Sequence, residues 1–354
     1  MTHYRQDGEK EMIRKRVTIQ EIADACNLSR NTVSKIFNNR GNVTESTRQF
    51  VMMKAQELGY YTQELPAPPK AAAPGSIAVL SSSNPLNHNF GALFIKAFTD
   101  AVCRSGYSVQ MYELTAQEVS QLQLPSQMAI DNTLGVLCIE LFDEAFIRHV
   151  SALGMATVAV DGYCGANRSM IPCDILSMEN VTSAMRITKQ MVEQGAGTLG
   201  FVGDVLHCNS FHERWGGFCA ALRDAGIPVD RDVCILHPDG GEYADIDWTV
   251  AQLQQMPRLP EGFVCANDYH AVKLMLALKR MGLAIPGDVM VAGFDNTPES
   301  AIIEPGLTTV NIHSADMGVL AADVLLARLQ SPQRPFCLTY AQTEPVFRSS
   351  TKKG

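Results

Sequence analysis

The 354-residue sequence lacks the features that mark several large classes of protein. Its apolar runs fall short of the roughly 18 residues that a membrane-spanning helix needs, so we expect no membrane partner. The N-terminal segment 1–16 is charged throughout and has no apolar core, which excludes a secretory signal and favours a cytoplasmic location. The ten cysteines are scattered and form no C-x-x-C pair, a pattern typical of reduced thiols and not of a disulfide scaffold or a zinc ribbon.

Motifs of the common catalytic and cofactor sites are also missing. The sequence contains no phosphate loop ending in GK[ST], no H-E-x-x-H zinc helix and no G-x-S-x-G nucleophile turn. The segment 195–200 does match the dinucleotide fingerprint G-x-G-x-x-G, but it follows a predicted helix and opens a predicted strand, which is the wrong order for that fingerprint. We interpret Gly195 as a helix C-cap and expect no cofactor. His207, Cys208 and His212 lack regular metal-ligand spacing, so we expect no metal.

What is present is a globular composition with an uneven distribution of charge. Hydrophobic residues make up 46% of the chain and charged residues 19%, and the length favours two or three domains. The net charge is −8, yet residues 1–61 carry ten basic against seven acidic side chains, whereas the remainder carries 19 against 30. A cationic N-terminal part joined to an anionic body indicates a polyanion-binding module attached to something else.

Segment 17–61 has the pattern of three short helices. Thr18 and Glu21 form a T-x-x-E capping box, after which apolar residues recur at helical spacing. Asn27 falls where a left-handed turn residue is needed, and Ser29 caps a second helix. The expected inward-facing residues are Val33, Ile36 and Phe37 on the second helix, and Val51, Ala55 and Leu58 on a third helix capped by Thr44. Three helices with a tight turn between the first two predict a helix-turn-helix module.

The N-terminal end of the second helix predicts contact with DNA. In a helix-turn-helix module this end enters the major groove, where Arg30 can bond guanine edges and Asn31 can bond adenine edges. The positive end of the helix dipole also faces the phosphates. Double-stranded DNA is therefore the expected partner of the basic part of the chain.

The same segment resembles the N-terminal domain of the lactose-repressor (LacI/GalR) family of bacterial transcription regulators. The matching residues are Val17-Thr18-Ile19, Ile22-Ala23, Leu28-Ser29, Thr32-Val33-Ser34, Phe37-Asn38 and Leu58-Gly59-Tyr60. The resemblance implies a homodimer on a pseudo-palindromic operator, with DNA contacts from Thr18, Ser29, Arg30, Asn31, Thr32, Ser34, Lys35 and Asn38. Lys35 stands where relatives commonly carry Arg, and because Lys lacks the bidentate fork we expect weaker discrimination of guanine there.

Segment 62–75 departs from the family pattern. Relatives carry a short hinge helix with an A-R-x-L-like core, whose leucine enters the minor groove at the centre of the operator. Here the sequence reads TQELPAPPKAAAPG, with prolines at 66, 68, 69 and 74. Proline lacks the backbone N–H and disfavours helix in the residue before it. We expect an extended spacer without the minor-groove wedge; the alternative is one helical turn over 62–65 on DNA.

From residue 76 onward the sequence alternates between β-rich runs and amphipathic helices. The expected strands are 77–81, 135–139, 156–160, 199–203, 262–266 and 289–293. This alternation predicts parallel sheets covered on both faces, and its length predicts two lobes with a cleft between them. The expected organisation is an N-terminal extension 1–16, a DNA-binding domain 17–61, a linker 62–75 and a body 76–351. The first lobe covers about 76–174 and 308–336, and the second about 175–307 and 337–351.

The body also resembles the family over nearly its whole length. The matching stretches are 282–296 (GLAIPGDVMVAGFDN), Ser210-x-x-x-Arg214-x-x-Gly217-Phe218, Ala266-Asn267-Asp268, Leu307-Thr308-Thr309 and Pro345 to Thr351. The resemblance implies a two-lobed, periplasmic-binding-protein-like body that binds a small-molecule effector. The whole chain is thus expected to combine a small all-α helix-turn-helix head with an α/β body.

Polar residues just beyond predicted strands form the candidate effector site. The candidates are Ser82, Ser83, Asp161, Ser210, Arg214, Tyr243, Asn267 and Asp295. Carboxylates accept hydroxyl protons, Arg214 can donate two parallel hydrogen bonds, and Tyr243 or Trp248 can stack on a sugar or base. Asp268 is a candidate on the same ground, although it can instead cap helix 269–281, and Asp295 can instead tie down its turn.

The expected function is a repressor controlled by a sugar or nucleoside. The sequence leaves open whether the protein represses or activates, and it does not decide among a sugar, a nucleoside or purine, and a sugar phosphate. A solute-binding protein and an α/β enzyme of sugar or nucleoside metabolism are the alternatives. The former lacks an export signal here, and the latter lacks a recognisable nucleophile and base.

Overall fold

A computed structural model describes residues 17–37, 43–58, 75–83, 89–164, 171–239 and 241–352. The chain divides into two compact units, residues 1–72 and 73–354, here called the head and the body. The predictions for segment 62–74 and for Asn38 lie outside the described residues. Within the described ranges, no helix is both long and apolar enough to cross a bilayer.

The head consists of α1 (Ile19–Cys26), α2 (Arg30–Phe37) and α3 (Glu45–Glu57). The capping box at Thr18 and Glu21 is present as predicted, with the Glu21 carboxylate accepting from the Thr18 N–H at 2.7 Å. Asn27 ends α1 in the left-handed conformation, at φ 55° and ψ 38°. The Ser29 hydroxyl caps α2 by accepting from the Thr32 N–H at 3.0 Å. Local signals in the sequence therefore set where these helices begin and end.

The head core is small and mostly as expected. Its fully enclosed side chains come from all three helices and are Ile22, Ala23, Cys26, Val33, Ile36, Val51 and Ala55. The prediction that Leu58 faces inward is wrong: this side chain is 40% exposed, because it lies beyond the last helical residue of α3. Arg48 ties α3 to α2 by donating from Nη1 to the Ile36 carbonyl at 3.1 Å.

The body contains two parallel sheets and one short antiparallel pair. The first sheet has six strands: β1 (Ser76–Ser81), β2 (Ser108–Glu113), β3 (Thr133–Cys138), β4 (Ala156–Val160), β5 (Asp174–Met178) and β10 (Leu338–Ala341). The second has three: β6 (Leu199–Val202), β7 (Gly262–Cys265) and β8 (Met290–Ala292). The antiparallel pair is β9 (Thr309–Asn311) with β11 (Glu344–Val346). The strand order in the first sheet is β10-β5-β4-β3-β1-β2, and in the second β6-β7-β8.

Nine α-helices accompany these strands in the described part of the body. They are α4 (Asn89–Arg104), α5 (Ala116–Ser120), α6 (Glu144–Ala152), α7 (Val181–Glu193), α8 (Asn209–Asp224), α9 (Ile246–Gln255), α10 (Asp268–Arg280), α11 (Pro298–Ile302) and α12 (Ser314–Gln330). Two helix pairs approach so closely that only glycine fits. A Cβ on Gly318 of α12 would lie 2.3 Å from the Phe94 carbonyl of α4, and one on Gly217 of α8 would lie 2.3 Å from the Val181 carbonyl of α7.

All six expected strands are present, with ends that differ from the prediction by at most two residues, and five other strands were missed. Strand β2 was missed because it is an edge strand with a largely exposed, polar sequence. Strand β5 was missed because it begins with an acidic residue, Asp174, which is fully buried and pairs with Arg328 at 2.8 Å. A buried ion pair between residues this far apart in the sequence leaves no local signal.

The three crossings between the lobes also differ from the expected positions. Strand β5 pairs with β4, so the first lobe extends to Met178 and not to about 174. Residues 308–311 bridge to Ala292 and Asp295, and therefore lie with the second lobe. Strand β10 pairs with β5 and belongs to the first lobe, whereas the sequence had assigned 337–351 to the second. Each crossing is decided by which sheet edge a short strand joins, and that information is not local.

The glycines of segment 195–200 join a helix to the next strand. The C-cap residue of α7 is Gln194, and Gly195 follows it with φ 95°, the left-handed position that commonly ends a helix; its N–H donates to the Val192 carbonyl at 2.9 Å. A Cβ on Gly200 in β6 would lie 2.2 Å from the Val233 carbonyl. These glycines therefore serve the turn and the packing of the chain, in the order opposite to that of a dinucleotide site.

Candidate functional site

The exposed face of α2 carries the polar residues that the sequence assigns to DNA. Arg30 and Asn31 in the first turn and Lys35 in the last turn are exposed, while Val33 and Ile36 lie in the core. The predicted hydroxyl contacts are differently placed. Ser29 and Thr32 are within 2.8 Å of each other through their hydroxyls, and Thr18 is bonded to Glu21. Ser34 is half-buried. The side chains free to reach a base edge are therefore Arg30, Asn31 and Lys35.

A cavity of about 840 Å³ opens between the carboxyl ends of the two sheets of the body. Of the eight predicted effector contacts, seven line it: Ser82, Ser83, Asp161, Ser210, Arg214, Asn267 and Asp295. Tyr243 does not, and neither does Trp248. Tyr243 is 3% exposed because its hydroxyl donates to the His237 carbonyl at 2.9 Å and its ring packs on His270, with 4.3 Å between centroids. Tyr243 therefore supports the wall of the cavity from behind.

Arg214 is buried at the centre of the site and bonds mainly to the protein. Its Nε donates to the Asn180 side-chain oxygen at 2.9 Å and its Nη1 to the Ala266 carbonyl at 2.6 Å. Nη1 also lies 3.4 Å from the Asp295 carboxylate, and the guanidinium stacks 3.7 Å from the centroid of the Phe294 ring. Most of the fork is thus occupied, which corrects the expectation that Arg214 offers two parallel hydrogen bonds to a ligand.

Asn180, which sequence reasoning missed, organises this region. It follows β5 and is 1% exposed. Its amide nitrogen lies within donating distance of three acceptors, namely the Met178 carbonyl at 2.8 Å, the Ser210 hydroxyl at 3.2 Å and the Glu213 carboxylate at 2.8 Å. A lone Asn between a strand and a helix carries no sequence motif, and only the fold shows its role.

Asp161 ties the first lobe to the N-terminus of α8. Its backbone is left-handed, with φ 65°, and its carboxylate accepts from the Ser210 N–H at 3.0 Å. The N-cap residue Cys208 provides no side-chain hydrogen bond, so Asp161 supplies across the cleft the negative charge that a helix start favours. Next to it, the Asn209 N–H donates to the Gly162 carbonyl at 3.2 Å.

Asn267 and Asp268 both line the cavity, but the capping role considered for Asp268 falls to Asn267. Asn267 caps α10 by accepting from the His270 N–H at 2.9 Å. Asp268 is fully buried and accepts from the Thr309 hydroxyl at 2.6 Å and the Thr297 N–H at 2.8 Å. Burial, together with the charge of Asp295, raises the pKa of Asp268 to about 7, against the lowering effect of Thr309, Thr297 and Arg348. Asp268 therefore holds the turn that carries Asp295, where φ reaches 112°.

The wall from the first lobe contains a residue absent from the sequence prediction. Glu140 has a left-handed backbone, with φ 50°, two residues after the end of β3. The Ser82 hydroxyl donates to its carbonyl and the Ser83 hydroxyl donates to its carboxylate. The two predicted serines thus orient Glu140 at the edge of the cavity.

One part of the cavity lining is aromatic, and it was also missed. Phe142 from the first lobe meets the His207 ring edge-on at 5.0 Å, and Phe211 lies 5.2 Å from His207 and 5.8 Å from His270. Asp239 lies among them, 3.6 Å from His207 Nδ1 and 3.8 Å from His270 Nε2. We call these five residues the aromatic end. Among the described residues, no group of three has the geometry of a metal site, and His212 is exposed away from the cavity.

Comparison with protein families matches both parts of the chain. The family model for bacterial regulatory proteins of the lacI family matches residues 18–63, and a periplasmic binding protein-like domain matches residues 188–351. The chain thus matches a lacI-family DNA-binding domain in its head and a periplasmic binding protein-like domain in its body. It is a DNA-binding transcription regulator, and the resemblance that the sequence motifs indicated is confirmed.

Relatives and solved structures extend the likeness over almost the whole chain. The HTH-type transcriptional repressor PurR of Pasteurella multocida (strain Pm70) is 24% identical over 341 residues, covering 95% of this chain and 98% of the relative. A complex of the transcriptional regulator CelR with cellobiose matches with a TM-score of 0.67 and 21% identity, covering 95% and 100%. The Lac repressor dimer bound to operator and the anti-inducer ONPF matches with a TM-score of 0.67 and 21% identity, covering 95% and 99%. At this identity, the structures show that the fold is shared.

Proposed function

We propose that this lacI-family protein is a repressor whose affinity for operator DNA is set by a small polar molecule in the cavity between the two lobes. The observation that carries the proposal is the convergence of seven sequence-predicted polar residues on one cavity of about 840 Å³. A cavity of this size, whose apolar walls carry several convergent polar groups, suits a ligand of the sugar or nucleoside class. The CelR complex with cellobiose supports the same class.

The DNA half of the proposal rests on the exposed first turn of α2. Arg30 and Asn31 are suited to guanine and adenine edges in the major groove, and Lys35 to phosphate or guanine. The Lac repressor in the matching structure is a dimer on its operator. We propose the same assembly here, because the two-fold symmetry of a dimer matches two operator half-sites. A regulator of this kind acts in the cytoplasm, where the DNA is.

The route from cavity to DNA runs through the contacts between the lobes. Asp161 with Ser210, and Tyr340 of β10 with Glu213 of α8 at 2.5 Å, join the lobes beside the cavity. An effector changes the DNA affinity only to the extent that it binds one arrangement of the lobes better than another. Because segment 62–75 is rich in proline, we expect weaker coupling than a hinge helix would give.

We further propose that the cavity binds its ligand without turning it over. Among the described residues of the cavity, no hydroxyl or thiol is hydrogen-bonded to an imidazole: the Ser82 hydroxyl donates to the Glu140 carbonyl and the Ser83 hydroxyl to the Glu140 carboxylate, and Cys208 is buried with a strongly raised pKa, mainly through burial. Product formation from any sugar or nucleoside by the purified protein would favour the enzyme alternative.

The deciding experiment couples the two halves. DNA that the purified protein selects from a random-sequence library is used in an anisotropy titration, alone and with saturating sugars and nucleosides. We expect a pseudo-palindromic sequence, and a change in affinity with one ligand class. If the selected DNA molecules share no common sequence, the proposed DNA binding is overturned. If a ligand changes the affinity for the selected DNA by about 1000-fold, the expectation of weak coupling is overturned.

A further inference from the structure

Asp239 differs from the other carboxylates of the cavity in how its oxygens are used. Asp268 accepts two hydrogen bonds, Asp161 accepts one from the Ser210 N–H, and Glu140 accepts one from the Ser83 hydroxyl. Asp239 lies 3.6 Å and 3.8 Å from its two imidazole neighbours. These distances are longer than those of an ordinary hydrogen bond, so the two imidazoles hold the carboxylate only loosely and the described residues leave part of its acceptor capacity available.

The two imidazoles nevertheless orient this carboxylate. His270 is 2% exposed and its Nδ1 is buried without a partner. We assign its hydrogen to Nε2, because the other tautomer would turn a lone pair toward the carboxylate and bury an unpaired N–H. The Asp239 backbone N–H donates to the Asp204 carboxylate at 3.0 Å, which fixes the loop. Although burial acts to raise it, the pKa of Asp239 is lowered by His270 and His207, so the group stays ionised.

The charge around the cavity excludes one kind of ligand. The carboxylates that line it are Glu140, Asp161, Asp239, Asp268, Asp295 and Glu299. Among the described lining residues, Lys and Arg side chains number two, and both have aromatic or polar partners: Arg214 is bonded to the protein, and the Lys273 ammonium lies 5.5 Å from the Tyr269 ring centroid. An anionic ligand would meet like charges in a partly desolvated site, which disfavours binding.

We propose that Asp239 is a specificity-determining residue, which accepts hydrogen bonds from hydroxyl or N–H groups of an uncharged effector and rejects its phosphorylated and carboxylated relatives. Phe142, Phe211 and the His207 ring cover the apolar face of the effector's ring, while Asp239 accepts from its edge. The inference rests on the proposed function, since it names the ligand class of the same cavity.

The first test measures calorimetric binding and thermal stabilisation of the full chain with matched pairs of compounds. The pairs are glucose with glucose 6-phosphate, glucose with glucuronate, cellobiose with cellobionate, and adenosine with adenosine monophosphate. We expect an uncharged member to bind and its anionic partner to bind at least tenfold more weakly. Tighter binding of the anionic partner overturns the inference and leaves the proposed function standing. If no compound in the panel binds at 10 mM, both fail.

The second test uses Asp239→Asn, with Glu242→Gln as the control. Glu242 lies three residues from Asp239 in the sequence, is exposed and does not line the cavity. The control therefore removes one negative charge near the site without changing the cavity wall. A hydrogen bond to a charged acceptor is worth roughly tenfold to a hundredfold in affinity, so we expect that loss for the uncharged ligand in Asp239→Asn and none in the control. The ratio of anionic to uncharged affinity should rise as well.

Either of two results overturns the role of Asp239: wild-type affinity in Asp239→Asn, or an equal loss in the control. Asp239→Ser provides a second variant, because it removes the carboxylate without adding an amide, and the same loss is expected. Unchanged melting temperatures of the ligand-free variants show that folding is intact.

Discussion

The head and the body present their polar residues in opposite ways. On α2 the residues suited to DNA are exposed and lie within six positions of one another in the sequence. In the cavity the polar residues bond chiefly to each other, and the members of the Arg214 network span positions 178 to 295. The DNA-binding face of α2 therefore needs only a short capped helix, whereas the cavity of the body forms only when strand ends distant in the sequence come together.

The largest expected effect sharpens this contrast in the body. Arg214→Met removes a guanidinium that is 2% exposed and leaves Asn180, the Ala266 carbonyl and Asp295 without their donor. Breaking a buried network of this kind costs about 3 to 5 kcal/mol. Denaturant unfolding of the full chain checks the loss, with Arg186→Met as the exposed control on α7. A cost below about 1 kcal/mol in Arg214→Met contradicts the view of this residue as a structural hub.

The next effect concerns DNA and should leave stability unchanged. Because Arg30 is exposed in the first turn of α2, Arg30→Ala should reduce affinity for the selected operator by about 1 to 3 kcal/mol and relax specificity at one base pair. Thermal unfolding should match that of the parent. Met53→Ala, which changes a 50% exposed residue of α3, serves as the control and should keep full affinity. Equal affinity of Arg30→Ala and the parent rules out base reading by this residue.

A third effect appears as a dependence on pH. The pKa of Asp268 is raised from an ordinary value near 3.8 to about 7 in the folded chain. Between about pH 4 and pH 7 the folded state therefore holds a proton that the unfolded state has released, so this group's stabilising contribution is full below about pH 4 and lost as the pH rises through 7. Asp268→Asn removes the dependence.

The measurement compares the unfolding free energies of Asp268→Asn and the parent at several pH values. As the pH rises, the unfolding free energy of the variant should increase relative to that of the parent, by at most about 1.4 kcal/mol per pH unit. Asp288→Asn offers an exposed control near the same lobe's β8. If the parent instead becomes more stable relative to the variant as the pH rises, the pKa of Asp268 is not raised in the folded chain.

The smallest effect tests the local signals of the head. Thr18→Ala removes the cap of α1, including the bond from the Glu21 N–H to the Thr18 hydroxyl at 3.3 Å. Loss of such a cap costs typically about 1 kcal/mol. Hydrogen exchange of the α1 amides in the full chain should quicken accordingly, while exchange in the body should not change. Equal protection in variant and parent means that tertiary packing alone holds α1.

The amino-acid sequence predicted the helix ends of the head but not the bonding partners in the cavity. Thr18, Asn27 and Ser29 mark helix ends by contacts within four residues, and each is confirmed. The cavity residues Ser82, Asp161 and Arg214 were found because they end strands or stand in a family motif. Their bonding partners were not: Asn180 and Glu140 have no motif, and the structure alone brings them to the site.

Aromatic and imidazole groups illustrate the same limit from another side. Tyr243 was expected in the cavity because a ring near a ligand loop suggests stacking, yet its hydroxyl is drawn to the backbone carbonyls of Ile235 and His237. His207 and His270 are 63 positions apart; the sequence raised His207 only as a metal ligand with irregular spacing and did not single out His270. Which ring faces a cavity depends on competition for buried hydrogen-bond partners, and no pattern within one segment reports on that.

The two glycine contacts between helices have a consequence for the history of the fold. At Gly217 and Gly318 any side chain would collide with a carbonyl of the adjoining helix, so neither position can accept even a methyl group while the helices keep their spacing. Each lobe thus contains one glycine that fixes the close spacing of two of its helices. A change of ligand preference is therefore expected to arise from substitutions at the cavity rim and at the crossings between the lobes, while the helix packing inside each lobe is kept.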